Sequence, residues 1–205
     1  MTDETSRITA FMQQMAETIN TTTSSLNKDQ MAVFFRQILS SKRIYVAGAG
    51  RSGLIAKAFG MRLMHLGYDS YVVGETITPP FQAGDLLVVF SGSGETLSIL
   101  SICGTAKELG GKVCLITASP DSRMSRIADC VVNLGDLSSY YRRDNNTFEI
   151  RQLTGKYRSI TSAFAPLGTL FETLALVFSD AVISSLMEEK KEEMPKIRDR
   201  LANIE

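Results

Sequence analysis

The chain has 205 residues, with 22 basic and 22 acidic side chains and therefore zero formal net charge. A chain of this length suits one domain whose core is large enough to be stable without disulfides or a structural metal. The charge balance excludes an overall electrostatic attraction to nucleic acid or to an acidic membrane surface.

The first forty residues predict two helices, Ser6–Thr22 and Lys28–Leu39. Asn27 is suited to cap the second helix, and apolar side chains recur at helical spacing along the first. These side chains are Ile8, Phe11, Met12, Met15 and Ile19. We expect both helices to be packing elements. The chain 1–205 is expected to be a single domain with N-terminal helices at 1–41, a sheet core with its C-terminal helix at 42–187, and a charged tail at 188–205.

After the two helices, short β-branched runs alternate with amphipathic segments, the pattern of a parallel sheet with crossover helices. The fold class predicted is α/β, a three-layer αβα arrangement with a five-stranded parallel sheet of the Rossmann-like or flavodoxin-like kind. The strands are expected at Ile44–Ala47, Ser70–Val73, Leu86–Phe90, Val113–Thr117 and Cys130–Asn133. The helices between them are expected at Gly53–Leu66, Thr96–Leu109 and Ser122–Ile127.

An irregular polar stretch, Leu137–Ile160, follows the last predicted strand and carries several arginines and lysines. It predicts a loop, which is either a solvated surface arm or a lid over a site. Pro166 is expected to open the C-terminal helix, because proline is tolerated in the first turn of a helix. Pro195 is expected to break that helix before a short tail.

The C-terminal segment Ala165–Met187 is apolar enough to resemble a membrane span. However, Glu172 and Asp180 lie well inside it, and each costs about 2.5–3.5 kcal/mol at a bilayer centre. We therefore expect no membrane association and a helix that is buried in the core or at a subunit interface.

Three cysteines, Cys103, Cys114 and Cys130, lack the spacing of a metal site, and the polar start of the chain does not read as a signal peptide. Both features predict a cytoplasmic protein with reduced thiols.

Two glycine- and serine-rich turns are the most informative motifs. Gly48-Ala49-Gly50-Arg51-Ser52-Gly53 follows the first predicted strand, and Ser91-Gly92-Ser93-Gly94-Glu95-Thr96 follows the third. Glycines allow the backbone to approach a ligand, hydroxyls and amides donate hydrogen bonds, and the following helix adds the positive end of its dipole. Because ligands bind at the carboxyl ends of strands in an open parallel sheet, the two turns predict one shared phosphate site.

The first turn alone also matches GxGxxG, and Glu75 lies near the end of the next predicted strand, as in a dinucleotide site. A nucleotide interpretation gives the second turn no task, whereas the three hydroxyls of Ser91, Ser93 and Thr96 suit a phosphate dianion. The simpler alternative is that both turns are tight strand-to-helix connections, with Ser52 a helix cap that meets no ligand.

Two titratable residues stand out. Glu172 lies in an apolar helix, where desolvation raises the pKa of a carboxyl group and brings it closer to the range of a general base at neutral pH. The alternative is a carboxylate in a buried ion pair or a subunit contact. His65, the only histidine, is either structural or a proton carrier. Arg51 either adds positive charge to the site or pairs with Glu75 or Glu95.

Residues 48–54, 56–59 and 61–67 closely resemble the first motif of the 6-phospho-3-hexuloisomerases, a branch of the SIS (sugar isomerase) superfamily. Residues 73–79, 91–96 and 166–172 continue the resemblance, which spans about Lys42 to Met187. It implies a homotetramer that interconverts D-arabino-3-hexulose 6-phosphate and fructose 6-phosphate, a small-molecule sugar phosphate, without metal or cofactor.

The resemblance also implies roles for particular residues. Glu172 is the expected proton acceptor, and His65 is the expected helper in ring opening or proton transfer. The expected substrate contacts are Ser52, Ser91, Gly92, Ser93, Gly94, Glu95 and Thr96. Alternatives that stay open are a non-catalytic sugar-phosphate sensor, a nucleotide-binding protein, and an isomerase of another aldose or ketose phosphate.

Overall fold

The computed structural model describes residues 4–135, 167–191 and 194–201. The strands are β1 (Ile44–Gly48), β2 (Ser70–Val72), β3 (Leu86–Phe90), β4 (Lys112–Thr117) and β5 (Cys130–Asn133). The helices are α1 (Glu4–Ser25), α2 (Lys28–Ser40), α3 (Arg51–His65), α4 (Leu97–Glu108), α5 (Arg123–Ile127), α6 (Leu167–Lys190) and α7 (Met194–Arg198). The predicted loop at Leu137–Ile160 and the predicted helix start at Pro166 lie outside the described residues.

The five strands form one parallel sheet in the order β2-β1-β3-β4-β5, which confirms the predicted fold class. The chain moves to one side of β1 to make β2 and then to the other side to make β3. Strand order therefore reverses between β1 and β3, where open sheets of this type bind their ligands. In that pair Gly48 lies opposite Phe90, so the two strands end side by side.

Alternating side chains of the strands supply two separate cores, one on each face of the sheet. In β1, Ile44 and Val46 belong to the core that α2, α3 and α6 cover. Tyr45 and Ala47 belong to the core that α4 and α5 cover. The result is the three-layer αβα arrangement that the sequence predicts. Residues 44–47 of β1 and all residues of β3 are buried, so both faces of the sheet are covered at these central strands.

The first helix differs from its prediction. Ile8 is 61% exposed, Phe11 40% and Met12 66%, so the N-terminal part of α1 does not pack on its own sheet. Among the residues that the structure describes, the C-terminal part of α1 reaches the core through Ile19. The spacing of apolar residues correctly indicated a helix, but it carried no information about what covers the apolar face.

The C-terminal helix α6 is a core element. By length and composition Leu170–Lys190 is able to span a membrane, with a mean hydropathy of 1.6, but half of it is buried inside the protein. Phe171 and Leu186 are fully buried in the core beneath α3. A helix of the inner layer is apolar for the same reason as a membrane span, because its surroundings are apolar.

The chain after α6 docks on α3 and is not the simple tail we expected. The helix ends at Lys190, and Pro195 lies in the first turn of α7, where a proline is tolerated. Lys190 donates to the carbonyl of Leu66 over 3.0 Å, and Arg200 donates to the carbonyl of His65 over 3.3 Å. Two cations thus bind the carbonyl end of α3, where the helix dipole favours positive charge.

Candidate active site

The two predicted turns lie next to each other at the carboxyl edge of the sheet. One turn leaves β1 at Gly48 and the other leaves β3 at Phe90, and these residues are register partners. Adjacent strands are about 4.8 Å apart, so the turns flank a common space. The structure brings together motifs that are about forty residues apart in the chain.

The glycines of the first turn permit close packing between the strand and the helix that follows. A Cβ on Gly48 would lie 2.8 Å from the backbone of Ser52, and one on Gly53 would lie 2.7 Å from the carbonyl oxygen of Gly48. Gly50 precedes the helix at φ 57°, a conformation that side-chain-bearing residues rarely adopt. These contacts hold the first turn of α3 against the end of β1 and fix where Arg51 and Ser52 project.

Ser52 and Glu172 meet in the interior of the site. The Ser52 hydroxyl donates to Oε1 of Glu172 over 2.9 Å, and both residues are buried. Nε of Arg51 lies 3.4 Å from Oε2 of the same carboxylate. The predicted base is therefore placed beside the predicted substrate contact Ser52, and each carboxylate oxygen has its own donor.

Burial raises the pKa of Glu172 above its usual range. The hydrogen bond from Ser52 and the positive charge of Arg51 act in the opposite direction and lower it. Desolvation is the larger effect, because Glu172 as a residue is only 8% exposed. A carboxylate in such surroundings accepts a proton more readily than an exposed one.

The second turn is organised by its own hydroxyls. The Ser91 hydroxyl accepts a hydrogen bond from the backbone N–H of Gly94 over 3.1 Å, and the Ser93 hydroxyl accepts one from Glu95 over 3.2 Å. A serine hydroxyl that accepts in this way still has its own proton to donate. Both side chains therefore shape the turn and keep a donor for an anion bound above it.

Glu95, one of the expected substrate contacts, is bound to α5. Its carboxylate accepts from the backbone N–H of Arg123 over 2.8 Å and forms an ion pair with the Arg123 side chain. Arg123 is the first residue of α5, so Glu95 joins the turn after β3 to the turn after β4. Among the predicted contacts, Glu95 is the one whose charge is opposed to a phosphate, and this pairing draws it toward α5.

Two helices begin at the site without a side-chain cap. Asn27 and Ser122 cap α2 and α5 through side-chain oxygens, but no such bond is formed at Gly50 before α3 or at Thr96 before α4. The positive ends of α3 and α4 thus face the space between the two turns. This is the arrangement that binds phosphate at helix N-termini.

His65 lies far from this cluster in the same chain. It is the last residue of α3 and Ser52 is the second, which separates them by about 20 Å along the helix axis. Burial lowers the pKa of His65, and the charge of Arg62 lowers it further. Nδ1 of His65 is buried and has no hydrogen-bond partner among the residues that the structure describes. A single chain does not bring His65 to Glu172.

The partner of Arg51 is the contact that the sequence interpretation missed. Both expected partners are occupied elsewhere, since Glu75 pairs with Lys57 and Glu95 pairs with Arg123. Arg51 instead contacts Glu172, which is 121 positions away in the chain. Local spacing carries no signal for such a pair, and only the docking of α6 against α3 creates it.

Comparison with known proteins places this geometry in a family. The SIS domain family matches residues 37–135. The 3-hexulose-6-phosphate isomerase of Bacillus subtilis (strain 168) is 36% identical over 199 residues, which cover 97% of this chain and 100% of the relative. The protein of the same name from Mycobacterium gastri is 35% identical over 198 residues, which cover 97% of this chain and 92% of the relative.

A solved structure extends the agreement to three dimensions. The crystal structure of a Methanococcus jannaschii protein, from which a molecular function of 3-hexulose-6-phosphate isomerase was inferred, is similar with a TM-score of 0.76. The two chains are 30% identical, and the match covers 93% of this chain and 97% of the other. By its sequence, its sheet order and its paired turns, the chain belongs to the SIS domain family, together with the 3-hexulose-6-phosphate isomerases.

Proposed function

We propose that this protein is an isomerase that interconverts D-arabino-3-hexulose 6-phosphate and fructose 6-phosphate. The observation that carries the proposal is the buried carboxylate of Glu172, held 2.9 Å from Ser52 at the edge where the two turns meet. A sensor needs the turns but has no use for a base at this place. The relatives named 3-hexulose-6-phosphate isomerase support this choice of sugar.

The reaction moves a carbonyl group from C3 to C2 of the sugar. A base takes the proton from C2, an enediol forms, and a proton returns to C3, which one carboxylate between the two carbons is able to do. We assign this task to Glu172. The phosphate is assigned to the turn of residues 91–96 and to the N-termini of α3 and α4, with Ser52 beside the reacting carbons. No step requires a metal or a cofactor.

His65 enters the proposal only through a second copy of the chain. When two α3 helices pack antiparallel, the last residue of one lies level with the first residues of the other. The outer face of α3 offers apolar side chains for such a contact, since Leu54 is 66% exposed and Met61 is 50% exposed. We therefore include a homotetramer in the proposal, working in the cytoplasm, with His65 acting on the neighbouring site.

The first test follows proton exchange by NMR in D₂O with fructose 6-phosphate as the substrate. We expect deuterium to enter the sugar while the 3-hexulose phosphate appears, with no added metal or cofactor. Glu172→Gln is expected to lower the rate by about 10²–10⁴ with the fold intact. A thermal shift with fructose 6-phosphate but no exchange would leave only the sensor, and a shift with a dinucleotide alone would favour the nucleotide interpretation.

A mixing experiment tests the place of His65. Glu172→Gln and His65→Ala are each expected to be poorly active. In a mixed oligomer, however, the site on a His65→Ala subunit keeps its own Glu172 and receives His65 from a neighbouring Glu172→Gln subunit. Activity that rises after the two variants are dissociated and reassembled together supports action across subunits. Activity that stays at the level of the separate variants removes His65 from the neighbouring site.

A further inference from the structure

Arg51 occupies a position that local helix stability does not explain. It is the first residue of α3, where the helix dipole disfavours a positive charge. The first turn of α3 contains no acidic residue, and Gly50 provides no side-chain cap. A cation at this place therefore costs the helix stability and needs another reason.

The contact with Glu172 supplies that reason. Arg51 and Ser52 are consecutive, and they donate to different oxygens of one carboxylate, Nε of Arg51 to Oε2 and the Ser52 hydroxyl to Oε1. Two donors that belong to one rigid helical turn fix both the position and the plane of the carboxylate. A base that must reach two neighbouring carbons of a sugar depends on such an orientation.

Other charges near this helix pair are engaged elsewhere. Lys57 pairs with Glu75, Arg62 approaches Asp180 two turns along α6, and Glu95 pairs with Arg123. In the described part of the chain, Arg51 is the charged group that acts on Glu172. It opposes the effect of burial, which raises the pKa of Glu172, and the Ser52 hydrogen bond acts in the same direction as Arg51.

The two partners differ in exposure. The Arg51 side chain is 51% exposed and that of Glu172 is 10% exposed, so the guanidinium covers the solvent side of a buried carboxylate. The guanidinium of Arg51 therefore stays accessible to solvent while its charge compensates the largely buried carboxylate of Glu172.

We propose that Arg51 is a positioning residue for Glu172, which holds the carboxylate in one orientation and favours its charged form despite its burial. The inference rests on the proposed function, in which Glu172 is the base. It gives Arg51 a role in the reaction besides the phosphate binding assigned to the turns. It also predicts an effect on pH dependence that a purely structural residue does not have.

The experiment measures the pH profile of kcat/KM with fructose 6-phosphate for wild type, Arg51→Met, Arg51→Lys and Lys57→Met. We expect the acidic limb of Arg51→Met to move to higher pH, because a base with a higher pKa loses its charge earlier as the pH falls. Its kcat is expected to fall by about ten- to hundredfold through lost orientation. Arg51→Lys is expected to move the limb back toward wild type, and Lys57→Met, on the same helix, is expected to leave it in place.

An acidic limb of Arg51→Met that coincides with wild type overturns the proposal, even if KM rises, since Arg51 would then bind substrate only. A displaced limb that Arg51→Lys does not move back also overturns it, because charge would not be the cause. If Arg51→Met fails to fold, Arg51→Gln serves for the same comparison. Full activity of Glu172→Gln would reject Glu172 as the base. If Glu172→Gln is inactive but the acidic limb of Arg51→Met coincides with wild type, only the role of Arg51 is rejected.

Discussion

Ser52 and Glu172 are 120 positions apart in the chain and are joined by a hydrogen bond of 2.9 Å. The contact ties the first turn of α3, at the point where strand order reverses, to the helix that closes the domain. It follows that the site is complete only after α6 has docked on α3. The apolar face of α6, with Phe171 and Leu174 in the core, therefore serves the chemistry as well as the stability of the fold.

Glu172→Gln is expected to raise the free energy of unfolding at neutral pH while it lowers activity. Burial raises the pKa of Glu172, so above the ordinary pKa of glutamate the folded protein binds more protons than the unfolded chain. Wild-type stability is therefore lost as the pH rises through the folded pKa, and glutamine has no such dependence. Arg51 is half exposed, so the loss of its partner costs little.

Urea unfolding of both proteins from about pH 4 to about pH 8 measures this difference. We expect the curves to converge at the acidic end and to separate as the pH rises, with the variant more stable. A difference that does not change with pH would show that the ionisation of Glu172 carries no cost in the fold.

Ser91→Ala and Ser93→Ala are each expected to raise the KM for the sugar phosphate. A hydrogen bond to a charged group contributes about 1.5–3 kcal/mol, which corresponds to about a ten- to hundredfold change in KM. Ser101→Ala, at an exposed position of α4, is the matched control and is expected to behave as wild type. If KM is unchanged in both variants, residues 91–96 do not form the phosphate site.

Gly94→Ala is expected to destabilise the protein. A Cβ at Gly94 would lie 2.0 Å from the Ser122 hydroxyl oxygen and 2.4 Å from its Cβ, and the backbone φ of +60° is itself unfavourable for alanine. Overpacking of this kind costs about 1–3 kcal/mol. Denaturant unfolding measures the loss, and the added change Ser122→Gly is expected to recover the part that is due to the clash. No recovery would assign the whole loss to the backbone.

Arg43→Met is expected to be among the more damaging substitutions outside the site. Arg43 forms two hydrogen bonds with Asp85, at 3.0 and 2.6 Å, and Asp85 is 2% exposed. Removing Arg43 leaves the buried Asp85 carboxylate with the backbone N–H of Gln82 but without its cation, and breaking a buried ion pair in this way costs about 3–5 kcal/mol. Lys112→Met breaks the exposed contact with Asp129 and is expected to cost less than about 1 kcal/mol. Equal losses in urea unfolding would contradict this argument.

Much of the fold could be predicted from the sequence because the signals for it are local. Apolar runs of strand length, separated by amphipathic segments, predicted all five strands to within one residue at either end. The predicted cap Asn27 marked the start of α2, and the two glycine-rich turns marked the ends of β1 and β3. Each of these features depends on a residue and its near neighbours, so no long-range contact was needed to find it.

Tertiary structure alone decided which residues meet. Strand order placed the turns after β1 and β3 beside each other, and the docking of α6 brought Glu172 to Ser52 and to Arg51. It also placed Glu172 at the opposite end of α3 from His65 and left Ile8 and Met12 in the first half of α1 exposed. The physical reason is that helical spacing specifies which face of an element is apolar. What covers that face depends on contacts across more than a hundred residues or on another copy of the chain.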